Sequence, residues 1–311
     1  RQSGPGVITA HHPDMGDYFF YAQGAPPLLF TENDTNTVRL FGFKYAKGYF
    51  KDAFHDFVIK RETTAVNLAH TGTKAAAHCS LSVPSGESVC VRMRLSDRPL
   101  EAPFAGYDGL ISDRTAEADA FYRDLPQTQG LSDDERMVQR QALSGMVWSK
   151  QFYYYDVWKW LMGDPSQPKP PEQRRRGRNS RWQHLENADV LLMPDKWEFP
   201  WYAAWDLAFH CVAYAQIDPQ FAKDQLVLFT RETYMHPNGQ LPAYEGEFSH
   251  VNPPIHAWAA WRVFEMDREY RGGKPDIAFL ERVFHKLLLN FTWWVNRLDE
   301  HGLNVFQGGF L

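Results

Sequence analysis

The sequence predicts a multidomain chain that is β first and α second: an N-terminal antiparallel β-sandwich-like domain, then a helical domain. From residue 17 to about residue 96, short alternating or β-branched stretches are separated by turn clusters. From about residue 116, apolar residues recur at helical spacing. Within the helical part Ser132, followed three residues later by Glu135, has the form of a capping box, in which two side chains satisfy each other's end of a starting helix.

In chain order, the predicted strands are "YFFYAQ", "TVRLFGF", "AVNLAHT", "SLSV" and "VCVRMRL", set off by the turn clusters "GAPP", "ENDTN" and "PSGES". A hairpin centred on Gly86 would put Cys90 opposite Ser82 and Cys79 opposite Met93. The β domain is expected over 1–115 and a linker helix over 116–131. The helical domain is expected over 132–311, opening with one long helix from Ser132 through "VWKWL" and continuing at 205–217, 219–235, 255–270 and 275–298. About forty residues rich in Pro, Arg and Trp separate the first long helix from the next, and a structureless stretch of that length is functional or mobile. "RRRGR" within it reads either as a solvated loop or as part of a lid that closes Trp182 and Arg178 over a polar ligand.

Composition narrows the function classes. The 311 residues are 44% hydrophobic and 23% charged, enough for two domains with their own cores. A formal net charge of −5 gives no basic field for nucleic acid. No apolar run approaches the roughly 20 residues of a spanning helix, so no membrane partner is expected. Cys79, Cys90 and Cys211 form an odd set without C-x-x-C spacing, which argues against disulfides and zinc and for a reducing, cytoplasmic setting. No metal or other cofactor is expected. The 15% aromatic content, with 11 Trp, 14 Tyr and 22 Phe, supplies platforms for sugar C–H groups or filler for a core.

One stretch concentrates chemistry. "WEFPWYAAWDLAFH", residues 197–210, holds Trp197, Glu198, Trp201, Trp205, Asp206 and His210 around Pro200. On a helix starting near Trp205, Asp206 and His210 share a face. Aromatic rings, polar edges and a carboxyl able to give up a proton are the parts of a sugar pocket. The helix N-terminus opposes this, because its positive end lowers a carboxyl pKa by an effect worth roughly 0.3–1 kcal/mol. Burial works the other way and can shift a carboxyl by several units. Asp206 therefore reads either as a general acid or as a carboxylate that stabilises the helix end. A second loop, residues 238–261, places Tyr244, Glu245, Glu247, His250, Asn252, His256 and Trp258 around a Pro-Pro helix entry. Its spacing matches no strong metal motif.

"MPDKWEFPWYAAWDLAFH", "NGQLPAYEGEFSHVNPPIHAWAAW" and "GLNVFQGGFL" together resemble glycoside hydrolase family 63, in its bacterial glucosidase-like branch, related to processing α-glucosidase and mannosylglycerate hydrolase. "LLFTENDTNTVRLFG", "KDAFHDFVI" and "GTKAAAH" resemble the β domain that precedes the catalytic domain there. The resemblance implies a β-sandwich-like domain followed by an (α/α)6 toroid, and hydrolysis of α-glycosidic bonds with inversion. It implies Asp206 as general acid, with Trp197, Trp201, Trp205, His210, Asn252 and Trp258 lining or supporting the pocket. Nothing in this chain matches the family's catalytic Glu from a late helix. The expectation is an N-terminal fragment holding roughly half the toroid, inactive alone and partnered by a carbohydrate substrate and by the C-terminal remainder, in the same or another chain. The competing expectation is a non-catalytic carbohydrate-binding or assembly module.

Overall fold

A computed structural model describes residues 1–43, 45, 47–165, 167–199, 201–245, 248, 251–298 and 301–303. Pro200, Glu247, His250 and the closing "QGGFL" lie outside the described residues. The chain divides into two compact units, Arg1–Glu117 and Ala118–Leu311.

Antiparallel strands dominate the first unit. β1 (Gln2–Gly4), β2 (Val7–His12), β3 (Gly16–Ala22) and β6 (Met93–Ser96) form a sheet in the order β1-β2-β3-β6. β2 and β3 pair in register from Val7↔Tyr21 to His12↔Gly16. A separate ladder joins β4 (Leu28–Thr31), buried along its whole length, to β5 (Lys74–Ala77).

Several expected strands are absent. "TVRLF" is instead the helix α1 (Thr37–Phe41), because the Asn36 side chain accepts from the Arg39 amide at 3.0 Å and Gly42, at φ 70°, closes the last turn. What reads as turn punctuation is a pair of helix caps. α2 (Ala53–Lys60) follows, and Arg39 of α1 bonds both its Asp56 and its N-cap residue Asp52. "AVNLAHT" and "SLSV" form no strand, and "VCVRMRL" becomes strand only from Met93. The Gly86 hairpin is likewise absent: its first flank, 78–83, forms no strand, and the only strand in its second flank, β6, pairs with β3. Cys79, Cys90 and Cys211 are free thiols.

The helix α3 (Tyr107–Arg123) carries the chain into the second unit. α4 (Asp133–Trp148) begins on the expected capping box, with Ser132 and Glu135 bonding each other's backbone. The helix does not run on. Residues Lys150–Asp156, "KQFYYYD", form the strand β7, whose full register runs from Lys150↔Leu192 to Asp156↔Glu186 of β8 (Glu186–Leu192). Phe152 and Tyr154 face outward while Tyr153 and Tyr155 are half-buried, the two-residue alternation of a strand. Consecutive aromatic residues favour a pleated surface over a helix. α5 (Val157–Met162) leads into the Pro- and Arg-rich stretch, which is not structureless: a 3-10 turn at Glu172–Arg176 and the strand β8 lie within it. Val157, Leu161, Trp182 and Leu185 bury together in a small core.

α6 (Ala204–Tyr214), α7 (Pro219–Leu228), α8 (Ile255–Tyr270) and α9 (Ile277–Val295) complete the helical unit. α7 stops seven residues short of the expected 235 because the chain turns at Phe229–Tyr234, where both rings are buried and stack at 5.1 Å. Ala208 of α6, Ala222 of α7 and Ala259 of α8 are fully buried. Such small side chains let the helices approach closely, and Leu207, Leu226 and Val263 fill the space around them. Lys223 of α7 ties the set together: its buried ammonium bonds Asp267 of α8 at 3.0 Å and Asp276, the N-cap of α9, at 2.7 Å. No helix among the described residues is long and apolar enough to cross a membrane.

Candidate functional site

α6 begins without a capping side chain at Ala203. Its first amide, of Ala204, donates to the Ala243 carbonyl at 3.1 Å, and Ala203 forms an antiparallel bridge with Tyr244. A loop strand thus supplies the partner that a Ser or Asp would otherwise offer. That bridge fixes the N-terminal turn of α6, which carries Trp205 and Asp206, against residues 243–245.

Asp206 is half-buried. Burial raises its carboxyl above the ordinary range; His210 one turn on, its own amide and a hydrogen bond from the Trp205 indole pull the other way. Burial wins, in the direction a proton donor needs. His210 is pushed down, again chiefly by burial, against Asp206 and a hydrogen bond to the Leu192 carbonyl. Its Nδ1 is buried without a partner.

The 243–245 strand brings a second buried carboxyl. Glu245 is 7% exposed; its Oε1 accepts from Arg178 at 2.9 Å, and its Oε2 is buried without a hydrogen-bond partner. Burial raises its pKa despite the Arg178 guanidinium and a hydrogen bond to Tyr153. The same surroundings raise the Tyr153 phenol and push Tyr155 up to about 12, both chiefly by burial. Asn179 bonds the Glu245 carbonyl. Sequence reading left Glu245 among available carboxylates and missed Tyr153 and Tyr155. The strand alternation of "FYYYD" was the signal that could have found them.

Other expected site residues are spread unevenly. Trp205 and Asn252 line one cavity, together with His256 and with Trp293 and Trp294 of α9. Tyr244 is placed by its bridge to Ala203. Trp258 is partly exposed on α8 and meets Phe209 of α6 at 5.6 Å, which in turn meets Trp205 at 6.1 Å. Trp201 is half-buried against Phe199. Trp197, by contrast, is 88% exposed on a turn whose amides bond Asp195, and Glu198 beside it is exposed. Arg178 is anchored on Glu245, and Trp182 is buried edge-on against His236 and Phe248. Among the described residues no group of three or more His, Cys, Asp or Glu side chains could hold a metal ion.

Residues 199–307 match the mannosylglycerate hydrolase MGH1-like glycoside hydrolase domain, so a glycoside hydrolase-like domain is present. The chain is 50% identical over 299 residues to the uncharacterized protein YMR196W of Saccharomyces cerevisiae, an alignment covering 92% of this chain and 27% of that one. The chain thus spans about a quarter of the length of the curated relative it matches. No solved structure matches it.

Proposed function

We propose that this chain supplies the front of the sugar pocket of an inverting, α-glucosidase-like glycoside hydrolase, with Asp206 as general acid. The observation that carries the reading is a coincidence of place: the glycoside hydrolase-like stretch begins just before α6, and on α6 sits a half-buried carboxyl that burial holds above its ordinary range. Such a group keeps its proton into the range where a departing glycosidic oxygen needs it. Trp205 orients the carboxyl through its indole N–H, and Trp201 and Trp258 offer ring faces to the sugar. Inversion also requires a second carboxyl as base, roughly 6.5–9.5 Å from the first. In this reading a later helix of an (α/α)6 ring provides it, in the same or another chain. α9 offers a seat for such helices. Phe284, Leu288, Phe291 and Val295 form an exposed apolar stripe along it, while Phe279 and Val283 face the core.

A second reading is favoured by the contacts of Asp206 itself. The Trp205 indole and the Asp206 amide both donate to its carboxyl, which suits an ionised group accepting from sugar hydroxyls. Asp206→Asn in the full-length protein separates the two. As the acid, its loss should cost roughly 10²–10⁴-fold on α-glucosides with poor leaving groups and much less on activated aryl glycosides. As a hydroxyl-binding carboxylate, its loss should weaken both substrates alike, mainly in KM. Proton NMR of the first-formed anomer tests inversion.

A further inference from the structure

An open groove of about 540 Å³ lies at the far end of the β7–β8 ladder, within the roughly 300–1,000 Å³ of small-molecule sites. Its walls come from three places: Asp156 and Trp158 where the ladder passes into α5, Trp182 and Glu186 on the returning limb, and Glu232 and Thr233 after α7. Neither Asp206, Trp205 nor His210 lines it. Asp156 and Glu186 are cross-strand partners, and the Glu186 amide donates to the Thr233 carbonyl at 3.1 Å, which brings the turn after α7 to the ladder's end. Side chains directly opposite on a ladder share a face, so two carboxylates stand together, and like charges so placed destabilise a sheet. Lys159, 3.3 Å from Asp156, offsets one of them. Glu186 and Glu232 are exposed and form no ion pair among the described residues, and no Lys or Arg lines the groove.

Trp182 supplies a second observation. It is 5% exposed, its ring edge-on against His236 and Phe248 and packed with Val157, Leu161 and Leu185. Its indole N–H has no hydrogen-bond partner among the described residues, yet it keeps an opening to the surface. The groove is the open side of this ring. A buried indole nitrogen ordinarily finds an acceptor, and here the protein provides none. Across the groove Trp158 is 54% exposed and offers a free ring surface.

These groups select a ligand by what each can do. A carboxylate only accepts and an indole N–H only donates. An ammonium would meet the carboxylates but cannot accept from Trp182, and an anion would accept from Trp182 but is repelled by three carboxylates. A metal ion needs a tighter set, and no group of three or more His, Cys, Asp or Glu side chains among the described residues could hold one. A hydroxyl both donates and accepts, and the C–H face of a sugar ring packs on an indole. We propose that this groove binds a neutral sugar residue stacked on Trp158, with hydroxyls donating to Glu186 and Glu232 and one accepting from the Trp182 indole N–H. The assignment stands apart from the role given to Asp206. In a glycoside hydrolase it would give a longer glycan a second hold on the same chain.

The test is amide hydrogen exchange by mass spectrometry on the full-length protein, titrated with maltotriose and, separately, with spermidine as a cationic probe. Maltotriose is expected to slow exchange in residues 156–160, 182–187 and 231–237, and to do so equally in Asp206→Asn. Trp158→Ala should raise the maltotriose concentration needed for half-protection of these segments at least tenfold, and Glu232→Gln, a weaker acceptor of the same size, roughly threefold. Both side chains are exposed, so neither change removes core packing. Protection that Trp158→Ala leaves unchanged, or no protection by maltotriose at all, would overturn the assignment; protection by spermidine alone would overturn it in favour of a cation site. Protection of this groove in a protein that turns over no α-glucoside would sink the role given to Asp206 and leave the groove a sugar site.

Discussion

Arg178 donates to Oε1 of Glu245 at 2.9 Å across 67 residues of sequence, and this one bond fastens the Arg-rich segment to the strand that starts α6. The guanidinium is half-exposed while the carboxyl is buried, so the pair is lopsided: burial dominates the carboxyl and holds its pKa above the ordinary glutamate range. The folded protein therefore keeps a proton on Glu245 at pH values where the unfolded chain has released it. By linkage, stability should fall as pH rises from the ordinary glutamate range through the raised value. In Glu245→Gln that decline should flatten, and in Arg178→Ala, where the neighbouring cation is gone, it should extend to higher pH. Thermal denaturation from pH 4 to 8 measures both, and identical slopes in all three proteins would place Glu245 outside this linkage.

Asp206 and His210 are coupled through one helical turn. A charged imidazole there lowers the Asp206 pKa, so His210→Gln should move the carboxyl's midpoint to higher pH, read by ¹³C NMR of labelled aspartate. If Asp206 is the general acid, the alkaline limb of the pH–rate profile should move in the same direction. A midpoint that stays put would mean that the imidazole is not felt at the carboxyl.

Lys223→Met should be severely destabilising. It would leave Asp267, nearly fully buried, and Asp276 without their closest cation. Arg271 lies 3.6 and 3.5 Å from the two and offsets part of the loss, so the expected cost is about 3 kcal/mol, near the low end for breaking a buried pair. For a unit of this size that lowers Tm by roughly 6–12 °C. Adding Asp267→Asn should recover part of it, and an unchanged Tm in the single variant would show that the triad contributes nothing net.

The exposed stripe on α9 predicts behaviour of residues 1–311 in isolation. They should self-associate, and Leu288→Lys with Phe291→Glu should make them monomeric by light scattering without lowering Tm, because neither side chain is buried against the core. Self-association that survives these changes would locate the adhesive surface elsewhere.

Local rules made part of this molecule readable from sequence. The Ser132–Glu135 box and the helices α6, α8 and α9 follow from caps and periodicity, and Asp206 falls in the first turn of its helix as spacing requires. β7 escaped because a run of apolar and aromatic residues carries helical and strand periodicities at once, and its pairing with β8 decided between them. α1 escaped because Asn36 and Gly42 serve turns and caps equally well. The pairing of Glu245 with Arg178 and the gathering of His256 and Trp293 around one cavity have no local signal, since each joins residues that only the packed helical unit brings together. The small core around Trp182 has no local signal either, since it joins residues on both sides of the Arg-rich loop.

The register of β7 and β8 has one more consequence. Asp156 and Glu186 are direct partners at the end of the ladder, so everything from Val157 to Leu185, including "RRRGR", leaves and re-enters the sheet at a single point. Chain inserted into or removed from the outer part of that excursion does not change the distance its two ends must span. Val157, Leu161, Trp182 and Leu185 constrain it from within, and Arg178 and Asn179 tie its returning limb to Glu245. Between Gly163 and Gln173, before Arg174 bonds the Trp160 carbonyl and Arg178 and Asn179 bond Glu245, the excursion is therefore the natural cassette of the molecule, a stretch in which length and charge can diverge between homologues, or be exchanged by design, while the ladder and its partners stay in step.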